Sequence, residues 1–157
     1  MEIRRIDQTD RKQADAFIVR QWYTMQMVVH GESIDLGLAD GFYACDGDEI
    51  IGLITWRRVG KEIEILSLDS LHEACGIGTA LLNEVIREAK ETGAETIRLI
   101  TTNDNLPALR FYQKRGFDLV RIYRNALDQA REIKPEIPLI GMNGIPLKHE
   151  IELGMTL

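Results

Sequence analysis

The stretch Glu62-Ile63-Glu64-Ile65-Leu66-Ser67-Leu68-Asp69-Ser70-Leu71-His72-Glu73-Ala74-Cys75-Gly76-Ile77-Gly78-Thr79-Ala80-Leu81-Leu82 passes from a strand pattern to a helix pattern through a glycine-rich turn. Residues 62–68 alternate, with Ile63 and Ile65 on one side and Glu62, Glu64, Leu66 and Leu68 on the other. From Ile77 the period changes: Ile77, Ala80, Leu81, Val85, Ile86 and Ala89 recur at helical spacing, so residues 77–91 predict a helix with Gly93 as its left-handed stop. A helix that begins at Gly76-Ile77-Gly78 leaves its first backbone amides without intrahelical partners. Those amides and the helix dipole make an anion cradle whose glycines let a diphosphate approach the backbone closely, or else the segment is only a tight strand-to-helix turn without ligand.

Outward from this unit, residues 96–102 read as a buried strand, which makes strand, helix, strand with a right-handed parallel crossover. On the other side, residues 42–46 and 49–59 flank Gly47-Asp48 and predict a hairpin, with 62–68 as the third strand of a meander. Residues 2–7 form a first strand. Thr9 or Asp10 then caps a helix that carries Ala14, Phe17, Ile18, Trp22 and Met25 on one face. Residues 25–40 fit either helix or loop. Residues 106–115 predict a short helix ended by Gly116, 118–123 a strand, and Ile151, Leu153, Met155 and Leu157 a closing strand of period two.

A second motif, Asn105-Leu106-Pro107-Ala108-Leu109-Arg110-Phe111-Tyr112-Gln113-Lys114-Arg115-Gly116-Phe117, follows the strand 96–102 at once. With Gly76-x-Gly78 it resembles the GNAT superfamily of N-acetyltransferases, over residues 42–123 well and over the termini loosely. Glu73 stands where that family usually has Gln or Arg. The resemblance implies an α/β fold, a central mixed sheet flanked by helices, and acetyl-CoA as cosubstrate. It implies cofactor contacts from Leu66, Leu68, Glu73, Ala74, Cys75, Gly76, Ile77, Gly78 and Thr79, with the amides near Leu66 and Leu68 polarising the thioester carbonyl. Asn105 would contact the cofactor near its sulfur, or serve as a helix N-cap, or both. Tyr112 would return a proton to the departing thiolate, against the alternative of an aromatic packing residue. Glu62 and Glu64 are the candidate bases for the attacking amine, and exposed strand-end charges otherwise. Trp22, Tyr23, Met25 and Met27 could wall an acceptor pocket, although core packing is the commoner role of such a run.

With 157 residues, 45% hydrophobic and 28% charged, the sequence has the composition of one soluble domain. A net charge of −6 argues against nucleic acid as a partner. No signal-like or membrane-length apolar run occurs, so a cytoplasmic location is expected. Cys45 and Cys75, with the scattered His30, His72 and His149, suggest neither a disulfide framework nor a metal site. A dinucleotide fingerprint fails at its third glycine, where Leu81 stands, and a non-catalytic acyl-CoA-binding module is the remaining rival. Residues 124–147, with a helix at 126–133 and three prolines, form a connection long enough to shape an acceptor pocket, to pair two chains as a homodimer, or simply to pack on its own domain. The acceptor itself is expected to be a small-molecule or peptide amine.

Overall fold

A computed structural model describes all 157 residues. The strands are β1 (Glu2–Arg5), β2 (Gln26–Val29), β3 (Glu32–Asp35), β4 (Asp40–Asp46), β5 (Glu49–Val59), β6 (Glu62–Ser70), β7 (Thr96–Thr102), β8 (Asp118–Tyr123) and β9 (Glu150–Thr156). The helices are α1 (Arg11–Trp22), α2 (Ile77–Glu91), α3 (Leu106–Lys114) and α4 (Ala126–Ile133). The chain divides into two compact units, one of residues 1–27, 35–97 and Leu157, the other of residues 28–34 and 98–156.

In the first unit the strand order is β1-β4-β5-β6 and every pairing within it is antiparallel. Ala14, Phe17 and Ile18 of α1 and Ile77, Leu81, Leu82 and Val85 of α2 are buried, as are Leu53 and Ile54 of β5. Each fully buried side chain of this size contributes about 1.5–3 kcal/mol. Helix α2 closes as the sequence predicts: Gly93 is left-handed, its amide donates to Lys90 O, and the Ala94 amide donates to Ala89 O. These two bonds make a Schellman stop that satisfies carbonyls the helix would otherwise leave open.

Several expectations are corrected here. Asp10 is the N-cap residue of α1, one of the two the sequence offers, but it makes no side-chain cap bond; Asp7 Oδ1 accepts from the Thr9 and Asp10 amides at 2.7 and 3.0 Å. Met25 lies beyond α1, which stops at a left-handed Tyr23. Residues 25–40 are neither helix nor loop throughout. They hold the β2–β3 hairpin, turned by His30-Gly31 with both φ positive, and a 3-10 turn at Leu36–Leu38. The alternation of residues 62–68 breaks at Leu66: Thr55 faces Ser67 and Trp56 faces Ile65, so Leu66 is an extra residue and β6 bulges.

In the second unit the order is β7-β9-β8, with β8 and β9 antiparallel. A small core of Leu127, Ala130 and Leu147, with Val28 and Ile137 packed on it, holds α4. The period-two reading of β9 fails in detail. Glu150 and Leu153 are buried while Ile151 and Met155 are half-buried, and Val120 is the extra residue of a bulge in the facing strand. The long connection folds on itself. Arg131 donates to the carbonyls of Ile137, Pro138 and Leu147, and the Asn103 side chain binds Pro146 O and the amides of Lys148 and His149.

Candidate functional site

In the first unit, β6 runs into an exposed loop, residues 71–76, and then into α2. Gly76 is the N-cap of α2 with φ 76° and offers no side chain to the first turn, which also lacks acidic residues. Ala74 is left-handed as well, at φ 59°. Such changes of backbone hand along a turn aim successive amides to one side, as in anion-binding concavities. The ground beyond Gly76 is open: a Cβ built there meets no atom within 4 Å. An open, uncapped helix N-terminus with a pair of left-handed residues fits a diphosphate physically, so the residues present match the cosubstrate expected for them. Ile77 is buried and anchors the turn, while Gly78 and Thr79 are half-buried. Glu73 and Cys75 are exposed.

The bulge places Leu66 on the strand that leads to this cradle, five residues before Leu71. Leu66 has no facing residue in the β5–β6 register, whereas Leu68 is paired with Ile54. Glu64, two residues before the bulge, is buried, and its Oε2 accepts from Arg57 Nε at 2.8 Å. Glu62 and Glu64 lie two residues apart on the regular part of β6, before the bulge, but they are not exposed strand-end charges: Glu62 is half-buried at the hairpin end opposite Val59, and Glu64 is enclosed. The core reading of the aromatic and methionine run also fails. Tyr23 is 89% exposed, Trp22 is exposed, and Met25 and Met27 are half-buried. Trp22 Nε1 donates to Asp69 Oδ2 at 2.5 Å, and burial raises the Asp69 carboxyl above its ordinary value of 3.8. Sequence reading missed Asp69, although a carboxylate in an apolar strand beside the cradle is a visible signal.

In the second unit, Asn105 is the N-cap of α3 and its side chain accepts from the Ala108 amide at 3.2 Å. Tyr112 lies seven residues on, two helical turns away. It is buried, with edge-to-face contacts to Phe111 and Phe117 at 5.1 and 5.3 Å between ring centroids. The capping role of Asn105 and the packing role of Tyr112 are thus both present in the fold. Also unforeseen was Asp104, buried with Oδ1 2.5 Å from Thr102 Oγ1 and Oδ2 2.8 Å from the Met142 amide. No cluster of three or more His, Cys, Asp or Glu is arranged to hold a metal, and no helix is long and apolar enough to cross a membrane.

Comparison with known proteins adds to this geometry. Residues 3–117 match the sequence model of the Acetyltransferase (GNAT) family. Uncharacterized protein YdhI of Bacillus subtilis (strain 168) is 46% identical over 136 residues, covering 86% of this chain and 85% of that one. Among solved structures, the IAA acetyltransferase from Bacillus cereus ATCC 14579 superposes with a TM-score of 0.75 at 23% identity, over 99% of both chains. A GNAT family acetyltransferase from Elizabethkingia anophelis with acetyl-CoA bound gives 0.74 at 23% identity, over 99% of this chain and 97% of that one. The fold is the α/β class of these structures, a central mixed sheet flanked by helices.

Proposed function

Since the chain belongs to the GNAT family of acetyl-CoA-dependent acetyltransferases, we propose that it moves the acetyl group of acetyl-CoA to a primary amine by direct attack in a ternary complex. The observation that carries this reading is the uncapped N-terminus of α2 following the bulged strand β6. The α2 amides and the loop of Glu73, Ala74, Cys75, Gly76, Ile77, Gly78 and Thr79 hold the diphosphate. The amides near Leu66 and Leu68 hold the pantetheine arm and the thioester oxygen, where negative charge develops. The single N-acetyltransferase domain spans residues 1–157 in this reading, and the matched family segment includes residues of both compact units.

An alkylammonium near pKa 10.4 must lose a proton before it attacks. Glu62 or Glu64 accepts that proton directly or through water. The nitrogen then adds to the carbonyl carbon, the C–S bond breaks, the thiolate takes its proton from the Tyr112 hydroxyl, and the proton that the nitrogen sheds on becoming an amide restores that hydroxyl. Asn105 steadies the cofactor near its sulfur in addition to capping α3. Calorimetric titration tests the cosubstrate: acetyl-CoA should bind and NAD should not, and acetyl-CoA should raise the melting temperature by linkage. NAD binding without a response to acetyl-CoA or CoA would overturn the proposal.

A further inference from the structure

The second unit contains a cavity of about 340 Å³ whose lining includes His30, Tyr123, Arg124, Asn125, Gln129 and Glu150. Glu150 is the chemically unusual member. It opens β9, is only 4% exposed, and yet lines a space open to solvent. Its carboxylate accepts one shared bond, from the His30 amide, at 3.3 and 3.4 Å to its two oxygens. No Lys or Arg nitrogen lies within ion-pair distance of it. Burial accordingly raises the Glu150 carboxyl above its ordinary value, with the His30 amide and ring only partly offsetting this.

A neighbouring carboxylate shows the contrast. Glu152 accepts from the Tyr123 hydroxyl at 2.9 Å and has His30 Nε2 at 3.9 Å and Arg98 at 4.0 Å. The fold thus surrounds Glu152 with partners and leaves Glu150 facing a cavity. A buried carboxylate is costly unless a cation or several donors meet it, and the missing partner would have to enter through that cavity. The walls suit an organic cation. Tyr123 and His30 stand edge to face at 4.2 Å, and the Tyr123 ring already has the Arg121 guanidinium 5.7 Å from its centroid. Gln129, packed against the left-handed Gly31, supplies an amide, and Arg124, the one Lys or Arg of the lining, is exposed, so solvent screens its repulsion of a bound ammonium.

We propose that this cavity is a recognition site for an alkylammonium group, with Glu150 as its anchor. A neutral chain of the same length would lose the ion pair with Glu150 and bind weakly. A charge-assisted contact of about 1.5–3 kcal/mol corresponds to roughly a 10- to 150-fold change in affinity.

The test is calorimetric titration of the whole protein with 1,4-diaminobutane, and with 1,4-butanediol as the neutral control. The parent should bind the diamine and not the diol. Glu150→Gln, which keeps a carbonyl for the His30 amide, should weaken the diamine at least 10-fold and leave acetyl-CoA affinity unchanged. Gln129→Lys, at an exposed position, places a tethered ammonium in the cavity and should also weaken the diamine, so the test survives if Glu150→Gln folds poorly. No diamine binding by the parent, equal binding of the diol, or undiminished binding by both variants overturns the proposal.

Discussion

Gly141→Ala should destabilise the protein strongly even though its φ of −98° suits any residue. The reason is contact. A Cβ at position 141 would fall on Asp104 Oδ2 and lie 2.6 Å from Cγ and 3.0 Å from Cβ of the same side chain. Asp104 is buried and committed, holding the Met142 amide at 2.8 Å and the Thr102 hydroxyl at 2.5 Å. Hydrogen bonds to a charged group contribute about 1.5–3 kcal/mol each, so displacing the carboxylate from both costs about 3 kcal/mol or more. Escape by moving residue 141 is opposed by the bond from its amide to Ile145 O at 2.8 Å. At about 2–4 °C per kcal/mol for a chain of 150–250 residues, the melting temperature should fall by about 6–12 °C. Circular dichroism melts of Gly141→Ala, Asp104→Ala and the double variant make the assay. Once Asp104 is truncated the clash disappears, so Gly141→Ala should cost little more in that background. A parent-like melt of Gly141→Ala, or an equal cost in both backgrounds, would refute the latch between Asp104 and the long connection.

Three further outcomes follow from the geometry. Gly76→Val should abolish acetyl-CoA binding by calorimetry; in the free protein a Cβ at Gly76 meets nothing, so its intrinsic cost is backbone strain at φ 76°, of order 1–2 kcal/mol by thermal melts. Tyr112→Phe should keep acetyl-CoA affinity and lower kcat roughly 10²-fold, and an unchanged kcat under rate-limiting chemistry would take Tyr112 out of the mechanism. Asp69→Asn should stabilise the protein at neutral pH. A carboxyl whose folded pKa is raised above 3.8 by burial lowers stability as pH climbs from 3.8 through the folded value, so the gain should be full at pH 7 and absent below 3.8; melts across pH read it.

What the sequence made legible has a physical pattern. The bounds of α2 and α4 could be read to the residue because amphipathic spacing, and for α2 the Gly93 stop, point to one structure. The β4–β5 hairpin followed from Gly47, left-handed at its turn. The β2–β3 hairpin was hidden because His30 takes the left-handed position where Asn or Asp would have announced a turn. The bulge at Leu66 could not be read, since an inserted residue leaves the hydrophobic pattern nearly intact while moving every side chain beyond it to the other face. Asp10 could be read as the N-cap of α1, whereas the turn ahead of the helix, in which the Asp7 carboxylate accepts from the Thr9 and Asp10 amides, could not. At the site, the glycine turn into α2 was legible from local sequence, whereas the Arg57–Glu64 pair, the Trp22–Asp69 bond and the Asp104 latch depend on strand register and distant loops.

The central claim is that an amine consumes the thioester held at the α2 N-terminus. It is tested most directly by incubating the purified chain with acetyl-CoA and a library of primary amines and following free CoA thiol, with Gly76→Val in parallel. Acetyl transfer predicts thiol release that requires both an amine and the intact cradle, and an acetylated amine gained for each thiol released. Tight acetyl-CoA binding with no thiol above the amine-free rate across the library, or equal release by Gly76→Val, would contradict it.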